Sequence, residues 1–387
     1  MKIAILTDGI YPFVIGGMQK HSFYLCKFLV KLGVDVTLVH CVKHDEALVI
    51  HDQVLKAMEL EPVTNFRSTC LKFPEPDWMP GHYIKESYTY SKEVSKTIES
   101  QLPDLDFIYV KGFSGWHLMR LKEQGKELPP IGVKFHGYEM YQQPPSFKSK
   151  FEHMLLRGPV KYNNVFANCV FSYGGRITPI VEELGIANEK IVEIPTGIEA
   201  DWCSDKIIEH STGSRKFVFL GRYERRKGIE ELNQVIKKIL QNQEFVFHFI
   251  GPIPKDKQIR SSKIIYHGTV MEKEGIQKIM DECEILVTPS HSEGMPNVIM
   301  EGMARGLSVI ATDVGAVCDQ VDNDMGWLLP PGDVNALEEA VNQAITLPQD
   351  DLNKKRKLAL DKVKKNFTWE KVSKDTHEHL KALVNQA

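Results

Sequence analysis

Residues 284–301 read Glu284-Ile285-Leu286-Val287-Thr288-Pro289-Ser290-His291-Ser292-Glu293-Gly294-Met295-Pro296-Asn297-Val298-Ile299-Met300-Glu301. Ile285 to Thr288 is an apolar run closed by Pro289 and Ser290, the pattern of a strand buried on both faces of a parallel sheet. Gly294 gives a flexible turn, and Pro296 reads as a first helical residue, where a missing N–H costs nothing. Strand, loop and helix in that order place the loop at the carboxyl edge of a sheet, where α/β folds bind ligands. Glu293 precedes the helix and Glu301 rides inside it, at most ~12 Å away at helical rise. The helix start between them carries free N–H groups and partial positive charge that suit a phosphate. The segment thus offers a hydroxyl acceptor, an anion cradle and a second hydroxyl acceptor. A first-turn charge followed by a solvated face would give the same two glutamates, and it is the preceding strand that favours a ligand.

The same alternation extends outward in both directions. Strand-like runs at Lys216 to Leu220, Phe245 to Ile250, Lys263 to Tyr266 and Ser308 to Ala311 alternate with helical patterns near 228–240, 272–282, 296–305 and 333–346. Upstream, Ile3 to Thr7, Asp35 to His40, Phe107 to Val110, Ile131 to Phe135, Val165 to Phe171 and a run from Ile191 that ends in Pro195 and Gly197 alternate with helical patterns that begin at Gly16-Gly17. Alternation of this kind predicts parallel sheets covered on both faces. The expected architecture is α/β, with two doubly wound Rossmann-like domains facing each other across a cleft. Residues 1–197 form the first, an irregular charged stretch near 199–215 follows, and 198–367 form the second. A C-terminal helix over about 368–387 is expected to cross back onto the first domain.

With 387 residues the chain is too long for one ordinary core. Apolar residues at 42%, charged residues at 26% and a net charge of −3 describe a globular chain with no reason to bind nucleic acid. Seven cysteines without a C-x-x-C pair point to a reducing compartment. No run reaches the roughly 18 apolar residues of a membrane span, and the expected location is cytoplasmic.

Leu220-Gly221-Arg222-Tyr223-Glu224-Arg225-Arg226-Lys227-Gly228 follows the first strand of the second domain. Arg222 and Lys227, five residues apart at a strand's carboxyl end, can neutralise a diphosphate. Arg225 and Arg226 read as a solvated turn. Together with Ala311-Thr312-Asp313-Val314-Gly315 and Gly326-Trp327-Leu328-Leu329-Pro330-Pro331-Gly332-Asp333, these motifs resemble the retaining nucleotide-sugar glycosyltransferases of the GT-B fold, family 4.

The resemblance implies a role for each matching residue. Glu293 would hold donor-sugar hydroxyls, Glu301 the ribose hydroxyls, and Arg222 with Lys227 the leaving diphosphate. Gly294, Met295 and Pro296 would belong to the donor-binding segment, the backbone N–H groups of Asn297 and Val298 would help at the helix start, and the loop at Val270 would meet the base. Gly16 and Gly17 would let donor phosphates or acceptor approach the first domain. His136, in Phe135-His136-Gly137-Tyr138-Glu139, would contact the sugar or the leaving oxygen, and Glu139 is a candidate for positioning the acceptor. With both glutamates assigned to hydroxyls, the implied mechanism is front-face, without a carboxylate nucleophile. No cofactor or metal is expected, and activity should survive chelation. The tripeptides Asp104-Leu105-Asp106 and Asp322-Asn323-Asp324 read as loop chemistry.

The expected partners are a nucleotide-sugar donor and a glycan or lipid-linked glycan acceptor, in bacterial surface polysaccharide or glycolipid assembly. Phe147, Phe151, Met154 and Leu155 recur at helical spacing beside Lys148, Lys150, Arg157 and Lys161. A core-facing stripe is the preferred reading, and peripheral docking on an anionic membrane the alternative. Three other functions keep the same fold: a phosphorylase, a nucleotide-sugar epimerase, or a non-catalytic subunit. Thr196 and Gly302 stand where the family usually has asparagine and alanine.

Overall fold

The computed structural model describes residues 1–76, 81–144, 147–210 and 213–386. Among them, β1 (Lys2–Leu6), β2 (Asp35–Val42), β3 (Phe66–Lys72), β4 (Phe107–Lys111), β5 (Ile131–Lys134), β6 (Cys169–Ser172) and β7 (Ile191–Glu193) form one sheet in the order β3-β2-β1-β4-β5-β6-β7. A second sheet is built from β8 (Arg215–Leu220), β9 (Phe245–Ile250), β10 (Ile264–Gly268), β11 (Ile285–Thr288), β12 (Ser308–Thr312) and β13 (Gly326–Leu329), in the order β10-β9-β8-β11-β12-β13. Every pair is parallel, as expected where strands alternate with helices. In each sheet the chain order reverses beside the first strand, between β1 and β4 and between β8 and β11. A crevice opens outside the carboxyl ends at such a switch point.

The central strands are apolar on both faces: Ile3, Ile5, Val36, Leu38, Phe107, Tyr109 and Phe171 pack on one side of the first sheet. Ala4, Leu6, Val39, Ile108, Val110 and Val133 pack on the other side. Two strands had no reading from sequence, β3 and β13. Both are edge strands in which polar, half-buried or exposed positions break the apolar run. A strand with one open flank needs no continuous hydrophobic sequence. The helix His51–Met58 before β3 was likewise not anticipated. The expected strand over 165–171 is shorter, because the helix Phe147–Phe166 takes its first two residues.

The helix Trp369–Gln386 packs on the helix Gly17–Lys31, and so returns the end of the chain to the first domain. Trp369 carries this contact, stacked on Tyr24 and Phe28 and edge-on to His21. Gly197 makes room for it, since a Cβ there would stand 2.7 Å from the indole. Between the domains, Ile198 and Thr368 form an isolated parallel bridge where the chain crosses twice.

Candidate active site

Both crevices meet at the segment that follows β11. Glu293 is 6% exposed, and its carboxylate accepts from Lys227 Nζ at 2.6 Å, Ser290 Oγ at 2.8 Å and Arg226 Nη1 at 3.2 Å. Burial works against the charge, but Lys227 and Arg226 outweigh it and hold the carboxyl below its usual range. Arg226 is a correction to the solvated turn expected of it: its guanidinium also donates to the Ser292 carbonyl. Arg225 is likewise engaged, on Glu231 and on His291 Nε2 at 2.6 Å. The turn Arg225–Lys227 is a single 3-10 turn closed by Gly228 at φ +66°, and a Cβ on Gly228 would fall 1.8 Å from the Pro289 carbonyl. Its glycine is needed for packing against the loop after β11.

Arg222 is not brought onto Glu293. Its side chain is 71% exposed and pairs with Glu224 at 2.9 Å. Pro296 is the cap before the helix Asn297–Ala304, with β-region dihedrals, so the helix starts one residue later than the sequence suggested. Asn297 and Val298, half-buried in the first turn, present the free N–H groups at this start. Val270 lies half-buried in the turn after β10, at the same sheet edge, and packs on the large core cluster.

The first domain touches this segment directly. A Cβ on Gly294 would stand 2.0 Å from the His136 carbonyl, so only a glycine lets the two domains approach here. Gln142, a residue the sequence did not single out, clamps the contact: its amide donates to the carbonyls of Gly137 and Glu293 and accepts from the Glu293 N–H. Thr196 donates its backbone N–H to Met295 Sδ at 3.3 Å, a contact that any non-proline residue could make. Glu139 lies in the short turn Glu139–Tyr141, and its charge reaches Arg226. Tyr138 before it holds φ +52°, an uncommon conformation at a buried residue of this loop.

His136 Nδ1 is 3.1 Å from the Tyr173 hydroxyl, and Lys134 lies over the Tyr173 ring at 3.8 Å. Burial first, and then the charge of Lys111, push the imidazole down to about 3, so it is neutral in ordinary buffers. Its Nε2 would be 3.0 Å from a Cβ on Gly17. Gly17 therefore admits the histidine ring, whereas Gly16 has extended dihedrals and faces only the Gln19 side chain. Lys111 and Lys134, the last residues of β4 and β5, are fully buried beneath the site. A lysine closing an apolar strand was the available signal for them. Burial lowers both, Lys111 to about 7, and Lys111 Nζ lies 3.2 Å from His21 Nδ1.

Glu301, 8% exposed, faces the first domain too, with Lys20 Nζ at 3.6 Å. Gly302 next to it lets the helix rest on β11, since a Cβ would meet Leu286 Cδ2 at 2.9 Å. Neither Asp-x-Asp reaches the cleft. Asp106 accepts from the Lys2 N–H at the amino edge of the first sheet, and Asp322 caps its own turn before β13.

Residues 15–202 match the family described as Glycosyltransferase Family 4, and residues 214–346 the one described as Glycosyl transferases group 1. A putative colanic acid biosynthesis glycosyltransferase of Escherichia coli is 22% identical over 72% of this chain and 70% of its own length. A putative teichuronic acid biosynthesis glycosyltransferase of Bacillus subtilis is 33% identical, over 33% of this chain and 32% of its own length. Among solved structures, sucrose-phosphate synthase from Thermosynechococcus elongatus superposes with a TM-score of 0.75 over 100% of both chains at 18% identity. Anabaena HepE in complex with UDP-glucose gives a TM-score of 0.68 over 99% of this chain and 100% of that chain, at 14% identity.

Proposed function

The chain belongs to the family 4 glycosyltransferases of the GT-B fold, and on that premise we propose that it transfers a sugar, with retention, from a nucleoside diphosphate sugar to a hydroxyl acceptor. The acceptor is a glycan or lipid-linked glycan of bacterial surface polysaccharide assembly, a setting supported by the colanic and teichuronic acid relatives. One observation carries the mechanism: Glu293 is enclosed by Lys227, Arg226 and Ser290. A carboxylate has about four acceptor positions. Three are occupied, which leaves room to hold a sugar hydroxyl and none of the freedom that a nucleophile needs.

The reaction then runs on one face of the sugar. The bond from the anomeric carbon to the leaving phosphate oxygen breaks as the bond to the acceptor oxygen forms, and the acceptor proton passes to the departing phosphate. Lys227 and Arg226 offset the charge that develops on that phosphate, the helix start at Asn297 adds its N–H groups, and neutral His136 contacts the sugar or leaving oxygen. Arg222, which is exposed, can turn onto the diphosphate. With these cations supplying the charge, activity is expected to persist in the presence of a chelator.

The test is turnover of Lys227→Ala and Arg226→Ala with the donor that a thermal-shift screen of UDP-, GDP- and ADP-sugars selects. Each variant should lose about 10²-fold or more in kcat, the scale of one charge-stabilising donor. Near-normal turnover in both would remove the diphosphate assignment, and loss of activity on chelation would remove metal independence.

A further inference from the structure

The contact between Glu301 and Lys20 joins the two domains at a point that phosphate chemistry does not explain. Glu301 belongs to the helix after β11, and Lys20 to the first turn of the helix after β1. The ammonium sits 3.6 Å from the Glu301 carboxylate, and over the Tyr11 ring at 5.7 Å. The other charge that faces both groups is Glu199, in the segment that connects the domains, which accepts from the Tyr24 hydroxyl. Asp201 beyond it is taken by Lys273. The half-exposed ammonium therefore pairs with Glu301 within the field of a second carboxylate.

We propose that Lys20 is a positioning residue for the nucleotide: from the first domain it holds the Glu301 carboxylate of the second as acceptor of a ribose diol, so that both domains complete the nucleotide site. This rests on the assignment of Glu301 to the ribose. An ionised carboxylate accepts from both hydroxyls of a diol through charge-assisted bonds, roughly twice as strong as neutral ones. A protonated one has turned an acceptor into a donor and loses the paired grip. Burial pushes the Glu301 carboxyl up, Glu199 pushes it the same way, and Lys20 opposes both. Without the ammonium the two remaining influences act together, and the carboxyl takes up its proton closer to neutral pH. The cation comes from the opposite domain, so separation of the domains weakens the ribose contact even where the nucleotide stays on the second domain.

Titration calorimetry of the full chain with UDP, GDP and ADP, repeated across about pH 6 to pH 8.5, tests this. The wild-type profile is the reference at each pH, because the terminal phosphate of a nucleoside diphosphate itself titrates near about pH 6. Relative to it, Lys20→Met should bind about tenfold more weakly near pH 6 and recover most of that loss near pH 8.5, as Glu301 ionises. Lys20→Arg should restore the wild-type profile, and Glu301→Gln should bind more weakly than the wild type at every pH. A Lys20→Met variant with unchanged affinity, or with a loss equal at every pH as for a direct phosphate contact, overturns the proposal. If the wild type binds none of the three, or Glu301→Gln binds normally, the ribose assignment itself fails and the role of Lys20 with it.

Discussion

His136 illustrates how a single residue's environment selects its chemistry. Burial and the neighbouring Lys111 keep it neutral down to about pH 3, so over working conditions its Nε2 is a neutral hydrogen-bonding group near Gly17. The folded value lies below the ordinary 6.5, so the unfolded chain binds a proton, as pH falls through 6.5, that the folded chain refuses. The stability this residue contributes is therefore complete above that pH and is lost progressively toward about pH 3. Urea midpoints at pH 7 and pH 5 should show the wild type losing more than His136→Gln, with a ceiling of about 2 kcal/mol for one such group. Equal losses would mean that His136 is protonated in the native state. Glu293, Lys227 and His136 were all readable from local sequence, because each closes or follows a buried strand. Arg226 was not: three consecutive basic residues share one turn, and only the loop after β11 decides which of them point inward.

The helix Phe147–Phe166 shows the limit of periodicity as a guide to an element. Its apolar stripe was expected to face the core, yet Phe151 is 57% exposed and Met154 59%. Leu155 is 38% exposed and borders a cavity of about 650 Å³ with Ile84, Tyr88 and Trp116. Phe147 and Lys148 have side chains outside the described part, as do residues 145 and 146 altogether. An apolar stripe fits a core or a bilayer equally well, and its partner is set by what the fold places opposite. Lys150, Arg157 and Lys161 are exposed on the same helix, so the membrane alternative gains support. Flotation with vesicles rich in anionic lipid should carry the wild type at low salt and leave Phe151→Glu with Met154→Glu in the pellet fraction, with turnover on a water-soluble acceptor retained. Flotation of neither protein would dismiss the membrane as partner, and equal flotation of both would dismiss this helix as the contact.

Over the whole molecule, the last helix ties the first domain to the second. Trp369 is buried against Tyr24, Phe28 and His21, and its removal leaves a cavity beneath the helix that carries Lys20. Trp369→Ala should destabilise the first domain by about 3–5 kcal/mol, measured as a shift in its denaturant midpoint. A shift below about 1 kcal/mol would show the helix to be dispensable. What the sequence determined by itself is the pair of doubly wound domains and the ligand edge of each. Central parallel strands must be apolar on both faces, and the glycines, basic residues and glutamates that follow them are local in the chain. What only the tertiary structure decided is everything that spans the cleft: Gln142 clamped to Glu293, Gly294 against the His136 carbonyl, Lys20 beside Glu301. Edge strands β3 and β13 belong with these, because an open flank relaxes the hydrophobic pattern. Residues far apart in sequence leave no spacing to read, and their pairing is fixed only when the two sheets present their carboxyl edges to each other.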